Sequence, residues 1–116
     1  MRHLNKGRKF GRKRGPRRLF KQGLAANLIQ RGRMVTTEAR AKEIRPIVEK
    51  LVTLGKKQNI ASLRLLLSRL PKVAAYKVYH ELAPKYQDRK GGFTRIIKQA
   101  KMRKHDAAKM ATIEFI

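Results

Sequence analysis

The sequence contains no cysteine, which excludes disulfides, thiolate metal sites and a cysteine nucleophile and suits a reducing compartment. Acidic residues are scarce: 7 Asp and Glu stand against 31 Lys and Arg, a formal net charge of +24 over 116 residues. Positive surroundings favour ionised carboxylates, so Glu81, Asp88 and Asp106 suit salt bridges better than proton transfer. No apolar run approaches the roughly 20 residues that span a bilayer, and none of signal-peptide length follows the basic start. A cytoplasmic chain with no membrane partner is expected. His3, His80 and His105 are far apart and offer no ligand spacing for a metal. Gly91 and Gly92 lack the Gly-Lys-Ser/Thr sequel of a nucleotide-binding loop. Zinc-finger cysteines, a heptad zipper and an aromatic-rich RNA-recognition strand are missing too. No enzyme, no cofactor and no small-molecule substrate is expected.

What is present is charge of one sign, on a chain long enough for one compact domain. Self-repulsion at +24 opposes compaction unless a polyanion neutralises it, so a nucleic acid is the expected partner. The apolar content of 41% is too high for a disordered polycation and predicts a folded core that carries a basic arm. Residues 1–21 hold ten cations and no acid, and Glu38 is the first acidic residue. Gly7, Gly11, Gly15 and Pro16 interrupt those cations, so residues 1–16 read as an extended arm, mobile without a partner. Residues 17–116 form the globular part.

From Arg17 the spacing of Leu19, Phe20, Gly23, Leu24, Asn27 and Leu28 predicts a helix with that face buried, ending near Arg31 and Gly32. Met34, Val35 and Thr36 read as a short strand, and Thr37 before Glu38 as the N-cap of a second helix reaching about Lys57. Its inner stripe is Ile44, Ile47, Val48, Leu51 and Leu54, with Pro46 expected to kink or interrupt it. Asn59 caps a third helix with Ile60, Leu63, Leu66, Leu67 and Leu70 inward, stopped by Pro71. A fourth places Val73, Tyr76, Tyr79 and Leu82 inward and ends near Pro84. Alternation over residues 93–100 and 111–115 predicts two strands joined by a loop at residues 101–109. The expected fold class is α+β, with about four helices on one face of a small three-stranded mixed sheet.

In the run Arg89, Lys90, Gly91, Gly92, Phe93, Thr94 and Arg95, two glycines permit close backbone approach to a phosphate between flanking cations. The Phe93 ring either stacks on a base or ribose or belongs to the core, and the two readings are compatible. Shape and backbone readout of structured RNA fits this composition better than reading of a DNA operator. A nucleoid-type DNA-binding architectural protein is the alternative; it would dimerise and bend duplex DNA, whereas this chain has a single one-sided arm and no evident dimer seam.

Several local runs resemble one family along essentially the whole chain. These are Met1, Arg2 and His3 with Gly7, Arg8, Lys9 and Arg12; Thr36 and Thr37 leading into Ala39, Ala41, Lys42, Glu43, Ile44 and Arg45; Arg89, Gly91, Gly92, Phe93, Thr94, Arg95 and Ile96; and Asp106, Ala107, Ala108, Met110, Ala111, Ile113 and Glu114. Together they resemble the seventeenth family of bacterial large-subunit ribosomal proteins. The chain departs from that family's pattern at Phe93, where Tyr is usual, and at His105 before Asp106, where Gly is usual. The resemblance implies a structural protein bound to 23S ribosomal RNA on the solvent side of the large subunit, near the polypeptide exit tunnel, beside neighbouring large-subunit ribosomal proteins. The expected RNA-binding residues are Arg2, His3, Lys6, Arg8, Lys9, Arg12, Lys13, Arg14, Arg17, Arg18 and Lys21 in and after the arm; Arg31, Arg33, Thr36, Thr37, Lys42 and Arg45; Arg89, Lys90, Gly91, Gly92, Phe93, Arg95 and Lys98; and Arg103 and Lys104.

Overall fold

A computed structural model describes residue 3 and residues 6–116; Arg2, expected in the arm, lies outside them. Helix α1 (Arg14–Arg31) begins three residues ahead of the expected Arg17. Pro16 falls in its first turn, where backbone N–H groups have no intrahelical acceptor, so the missing donor costs nothing there. Gly32 ends the helix in the left-handed conformation, φ 77°, and its N–H donates to the Leu28 carbonyl at 2.7 Å. Strand β1 (Arg33–Thr37) follows, then α2 (Glu38–Gly55), capped by the Thr37 hydroxyl, which accepts from the Arg40 N–H. Helix α2 is continuous through Pro46 rather than interrupted; Pro46 lies on its exposed side, where the lost backbone bond disturbs no core contact.

Helix α3 (Ile60–Arg69) starts from a reciprocal cap: the Asn59 side chain accepts the Ser62 N–H at 2.7 Å while the Ser62 hydroxyl accepts the Asn59 N–H. Helix α4 (Lys72–Lys77) passes through a π-helical turn (Val78–Leu82) into the short α5 (Ala83–Lys85). In that wide turn the Ala83 N–H reaches back to the Val78 carbonyl, immediately before Pro84, which has no N–H to donate.

Strands β2 (Thr94–Met102) and β3 (Lys109–Phe115) form a hairpin, and β1 pairs with the other edge of β3 to give the order β1-β3-β2. Both pairings are antiparallel, so the sheet is not mixed as expected. The direction in which β1 docks depends on where the helices return the chain, and strand composition carries no sign of it. The connection at residues 101–109 is also shorter than expected: Lys101 and Met102 complete β2, Lys109 opens β3, and the turn closes through the Arg103 N–H on the Ala108 carbonyl at 3.0 Å.

Helix α2 lies across one face of all three strands. That face presents Met34 and Thr36 from β1, Ala111, Ile113 and Phe115 from β3, and Thr94 and Ile96 from β2. Ile44, Val48, Leu51 and Val52 of α2 are buried in the core, with Ile47 and Leu54 packed at its margin. The faces of α1 and α4 are those expected only in part: Leu24, Leu28, Tyr79 and Leu82 are in or against the core. Ala25, Ala26, Leu28 and Ile29 are buried on α1 while Leu19 is 70% exposed, and Gly23 and Asn27 face solvent. On the α4 stretch Ala74, Ala75, Val78 and Leu82 are buried while Val73 is 69% exposed. The two helices pack against each other, and their alanines permit that approach. In α3, Leu66 and Leu70 are buried but Ile60 is exposed, its inward place taken by the capping Ser62.

Candidate nucleic-acid interface

Five of the seven acidic side chains are engaged in ion pairs within the molecule, while Glu81 and Asp88 are exposed. Glu38 pairs with Lys42 at 2.8 Å and Lys98 at 3.6 Å, and Glu43 with Lys21 at 2.8 Å. Glu49 accepts from the Thr94 hydroxyl at 3.2 Å and lies 3.9 Å from Arg45. Glu114 lies between Arg95 at 2.6 Å and Arg33 at 3.7 Å, and Asp106 pairs with Arg103 at the hairpin tip. Lys42 hydrogen-bonds to Glu38 and holds its carboxyl below the ordinary value, with help from Lys98 and Lys109. Lys21 and then the Arg8 amide do the same for Glu43, and Arg103 brings Asp106 down to about 2. These carboxylates are therefore ionised salt-bridge partners at neutral pH, not proton donors. Among the described residues no three His, Cys, Asp or Glu side chains are grouped to hold a metal. No helix among them is long and apolar enough to cross a membrane.

The first half of α1 and the segment before it form the densest cationic region. Arg14, Arg17, Arg18 and Lys21 line an open cleft of about 340 Å³ with Gln22 and Ile47. Before the helix, Lys9 to Arg12 make a turn, with the Arg12 N–H on the Lys9 carbonyl at 3.1 Å. Phe10 packs edge-on against Phe20 with ring centroids 5.3 Å apart. The guanidinium of Arg12 lies 3.7 Å over the Phe20 ring and that of Arg40 lies 4.8 Å from it. A second open cleft, about 450 Å³, is lined by Arg8, Thr37, Glu38, Ala39, Lys42, Ala108 and Lys109. It joins the arm to the N-terminal end of α2 and the start of β3. Two positively charged concavities of this kind, walled by side chains on rigid elements, are suited to phosphate groups.

The Ribosomal protein L17 family model matches residues 20–116. The chain belongs to that family. It is 47% identical over 115 residues to the large ribosomal subunit protein bL17 of Bdellovibrio bacteriovorus, covering 98% of this chain and 63% of that protein. It is 47% identical over 118 residues to the bL17 protein of Persephonella marina, covering 100% and 95% of the two chains. The bL17 protein of Bradyrhizobium diazoefficiens is 49% identical over 117 residues, with 100% and 84% covered. The family is one of structural ribosomal components and not of enzymes.

The expected binding residues fall into distinct environments. His3, Lys6, Arg8, Lys9, Arg12, Lys13, Arg14 and Arg18 are exposed, and Arg17 and Lys21 half-buried, around the arm and the start of α1. Arg31 is exposed at the end of α1. Arg33 and Arg95 straddle Glu114 on the sheet face that α2 does not cover. Arg89, Lys90, Gly91 and Gly92 form an exposed turn in which only Gly92 of the two glycines has a positive φ, 64°. Arg103 and Lys104 are exposed in the hairpin turn, and Lys98 on β2. Lys42 and Arg45 are exposed on α2.

Two expected contacts, Phe93 and Thr36, are corrected. Phe93 is 1% exposed and packs on Tyr86 with ring centroids 5.3 Å apart, so its ring is core and closed to a stacking base. Thr36 is buried in β1; Thr37 is half-buried, its hydroxyl caps α2, and it lines the second cleft. Residues that composition did not single out are Lys109, which lines the second cleft, Arg40, which lies over Phe20, and Glu43. The pair Phe10 and Phe20 within a cationic run was the available signal for Arg12 and Arg40, because aromatic rings there offer faces to guanidinium groups.

Proposed function

We propose that this chain is a structural constituent of the large ribosomal subunit that binds and stabilises folded 23S ribosomal RNA. The observation that carries the RNA reading is the spending of acids: Glu38, Glu43, Glu49, Asp106 and Glu114 are all engaged in ion pairs inside the molecule. The surface left around the arm, α1, the residue 89–92 turn and the hairpin tip is predominantly cationic, with Asp88 beside the turn and the Arg103-paired Asp106 at the tip as its acids, and a polyphosphate is its complement. The relatives carry large-subunit names, which supports the structural reading.

The arm and α1 act as the anchor, and the Gly92 turn contributes by shape. Docking on the solvent side near the polypeptide exit tunnel, beside neighbouring ribosomal proteins, follows from the family resemblance and belongs to the same proposal. The test is affinity for 23S RNA fragments as a function of salt, for the intact chain and for a variant lacking residues 1–13. Contacts with six to ten phosphates lower affinity by roughly 10³ to 10⁵ between about 50 and 200 mM salt, and truncation reduces that slope. A flat salt dependence, or equal slopes for both proteins, overturns the reading. Crosslinks to RNA in assembled subunits test the location.

A further inference from the structure

We propose that Glu43 is a positioning residue for RNA binding: its carboxylate holds the root of the arm, residues 6–13, against α1 and α2 before RNA arrives. This rests on the arm being an RNA anchor, as proposed above. A carboxylate at the base of a cationic arm is electrostatically wrong for RNA, since it repels phosphate, so its presence there calls for a compensating task.

The geometry supplies one. Glu43 Oε1 accepts the Arg8 backbone N–H at 3.3 Å and the Lys21 ammonium at 2.8 Å, so one oxygen joins the arm, α1 and α2. Gly7 sits beside it with φ 94°, and a Cβ added there would lie 3.2 Å from the same oxygen. A side chain at position 7 is strained by the positive φ, and its Cβ would press on the carboxylate, which must then give by a few tenths of an ångström. Beyond it, Phe10 adopts φ 53°, a left-handed conformation unfavourable for an aromatic residue, while its ring rests on Phe20. Arg12 closes the turn: its Nη1 donates to the Phe10 carbonyl at 2.8 Å and its guanidinium covers Phe20. Arg8, Phe10 and Arg12 thus each have an intramolecular partner through which the arm root can be held. Preordering them lowers the entropy lost when RNA binds.

The sign of the effect separates this role from simple charge. Glu43→Gln removes a negative charge, so electrostatics alone predicts tighter RNA binding and a steeper salt slope. If Glu43 positions the arm, affinity falls instead. Should the held geometry drop to about one molecule in ten, apparent affinity falls about tenfold, with the salt slope unchanged because the same phosphates are finally neutralised. Gly7→Ala strains the same contact with no change of charge and is expected to weaken binding likewise.

The experiment measures 23S RNA affinity against salt for the full chain, Glu43→Gln, Gly7→Ala and the truncation lacking residues 1–13. Backbone ¹⁵N relaxation of residues 6–13 is recorded without RNA, with circular dichroism as the folding control. The expected result is weaker binding and a loosened arm root in both point variants, with the fold intact. Tighter or equal binding by Glu43→Gln, or an arm root equally rigid in both variants, overturns the proposal while leaving the anchor reading in place. A truncation that binds as well as the full chain overturns the anchor reading itself.

Discussion

Replacing Phe93 separates its role in the core from a role on RNA. The ring is 1% exposed, lies 5.3 Å from that of Tyr86 and has the Lys56 ammonium 5.2 Å from its centroid. Its carbonyl accepts the Ile116 N–H at 2.9 Å, and the Tyr86 hydroxyl donates to the Ile116 carbonyl, so the ring sits beneath the joint between α5 and the sheet. Phe93→Ala empties a fully enclosed site and is expected to cost about 3–5 kcal/mol. For a domain of this size each kcal/mol lowers Tm by about 4–8 °C, so a fall of at least about 12 °C is expected in a thermal melt. Phe93→Leu keeps most of the volume and is expected to cost less than about 1.5 kcal/mol. Its RNA affinity should stay within about twofold of the parent, because a buried ring makes no stacking contact. A base platform would behave in the opposite way: loss of the aromatic face costs about 1–3 kcal/mol of binding, with tenfold in Kd for each 1.4 kcal/mol. A Phe93→Leu protein that melts normally but has lost tenfold or more in RNA affinity would refute the core assignment.

Asn59→Ala removes the reciprocal cap of α3 and is expected to cost about 1 kcal/mol in chemical denaturation; no loss would mean that the cap is idle. Gly55→Ala places a methyl 3.0 Å from Val78 Cγ1 and 3.2 Å from Ala83 Cβ, so overpacking by about 1–3 kcal/mol is expected; an unchanged midpoint would show that the π-helical segment yields freely. Gly92→Val meets no neighbour within 4 Å but must adopt φ 64°, so strain of about 1–2 kcal/mol is expected, with weaker RNA docking at an unaltered salt slope. The Glu43 carboxyl is held below its ordinary value of 4.5 by Lys21 and the Arg8 amide. Its contribution is accordingly complete above that value and lost as pH falls through the depressed one. The Arg8 amide resonance is expected to move on acidification in the free protein, and to stay still in Glu43→Gln.

Helices α2 and α3 were legible in the sequence because their faces are written in branched and long aliphatics, from Ile44 to Leu54 and from Leu63 to Leu70, with hydroxyl and amide caps at Thr37 and Asn59. The strands showed through β-branched Thr94, Ile96 and Ile97 and through the alternation of Ala111, Ile113 and Phe115 with Thr112 and Glu114. The faces of α1 and α4 are only partly legible, through Leu24, Leu28, Tyr79 and Leu82, because Ala25, Ala26, Ala74 and Ala75 carry much of the contact. Alanine is a weak hydrophobic signal, and its smallness matters only once another helix is known to press on it. Sheet direction was illegible for a different reason, since β1 and β3 are separated by the whole helical segment. For the site, the cations were evident from composition, but the carboxylate that orders them was not, because its partners Arg8 and Lys21 lie 35 and 22 residues away.

The strand order has a bearing on how the molecule folds. Strands β1 and β2 do not touch; each finds its partner only in β3, and residues 33–37 must wait for residues 109–115. The helical layer forms largely from neighbours in sequence, whereas the β1-β3 pairing closes a loop that includes all of α2 to β2. Such distant pairing is slow relative to local helix formation. The expected sequence of events is a helical layer first, with the sheet condensing in one step as β3 enters between its flanking strands. In hydrogen-exchange kinetics, the amides of β1 and β3 that pair with each other should then gain protection together and after those of α2.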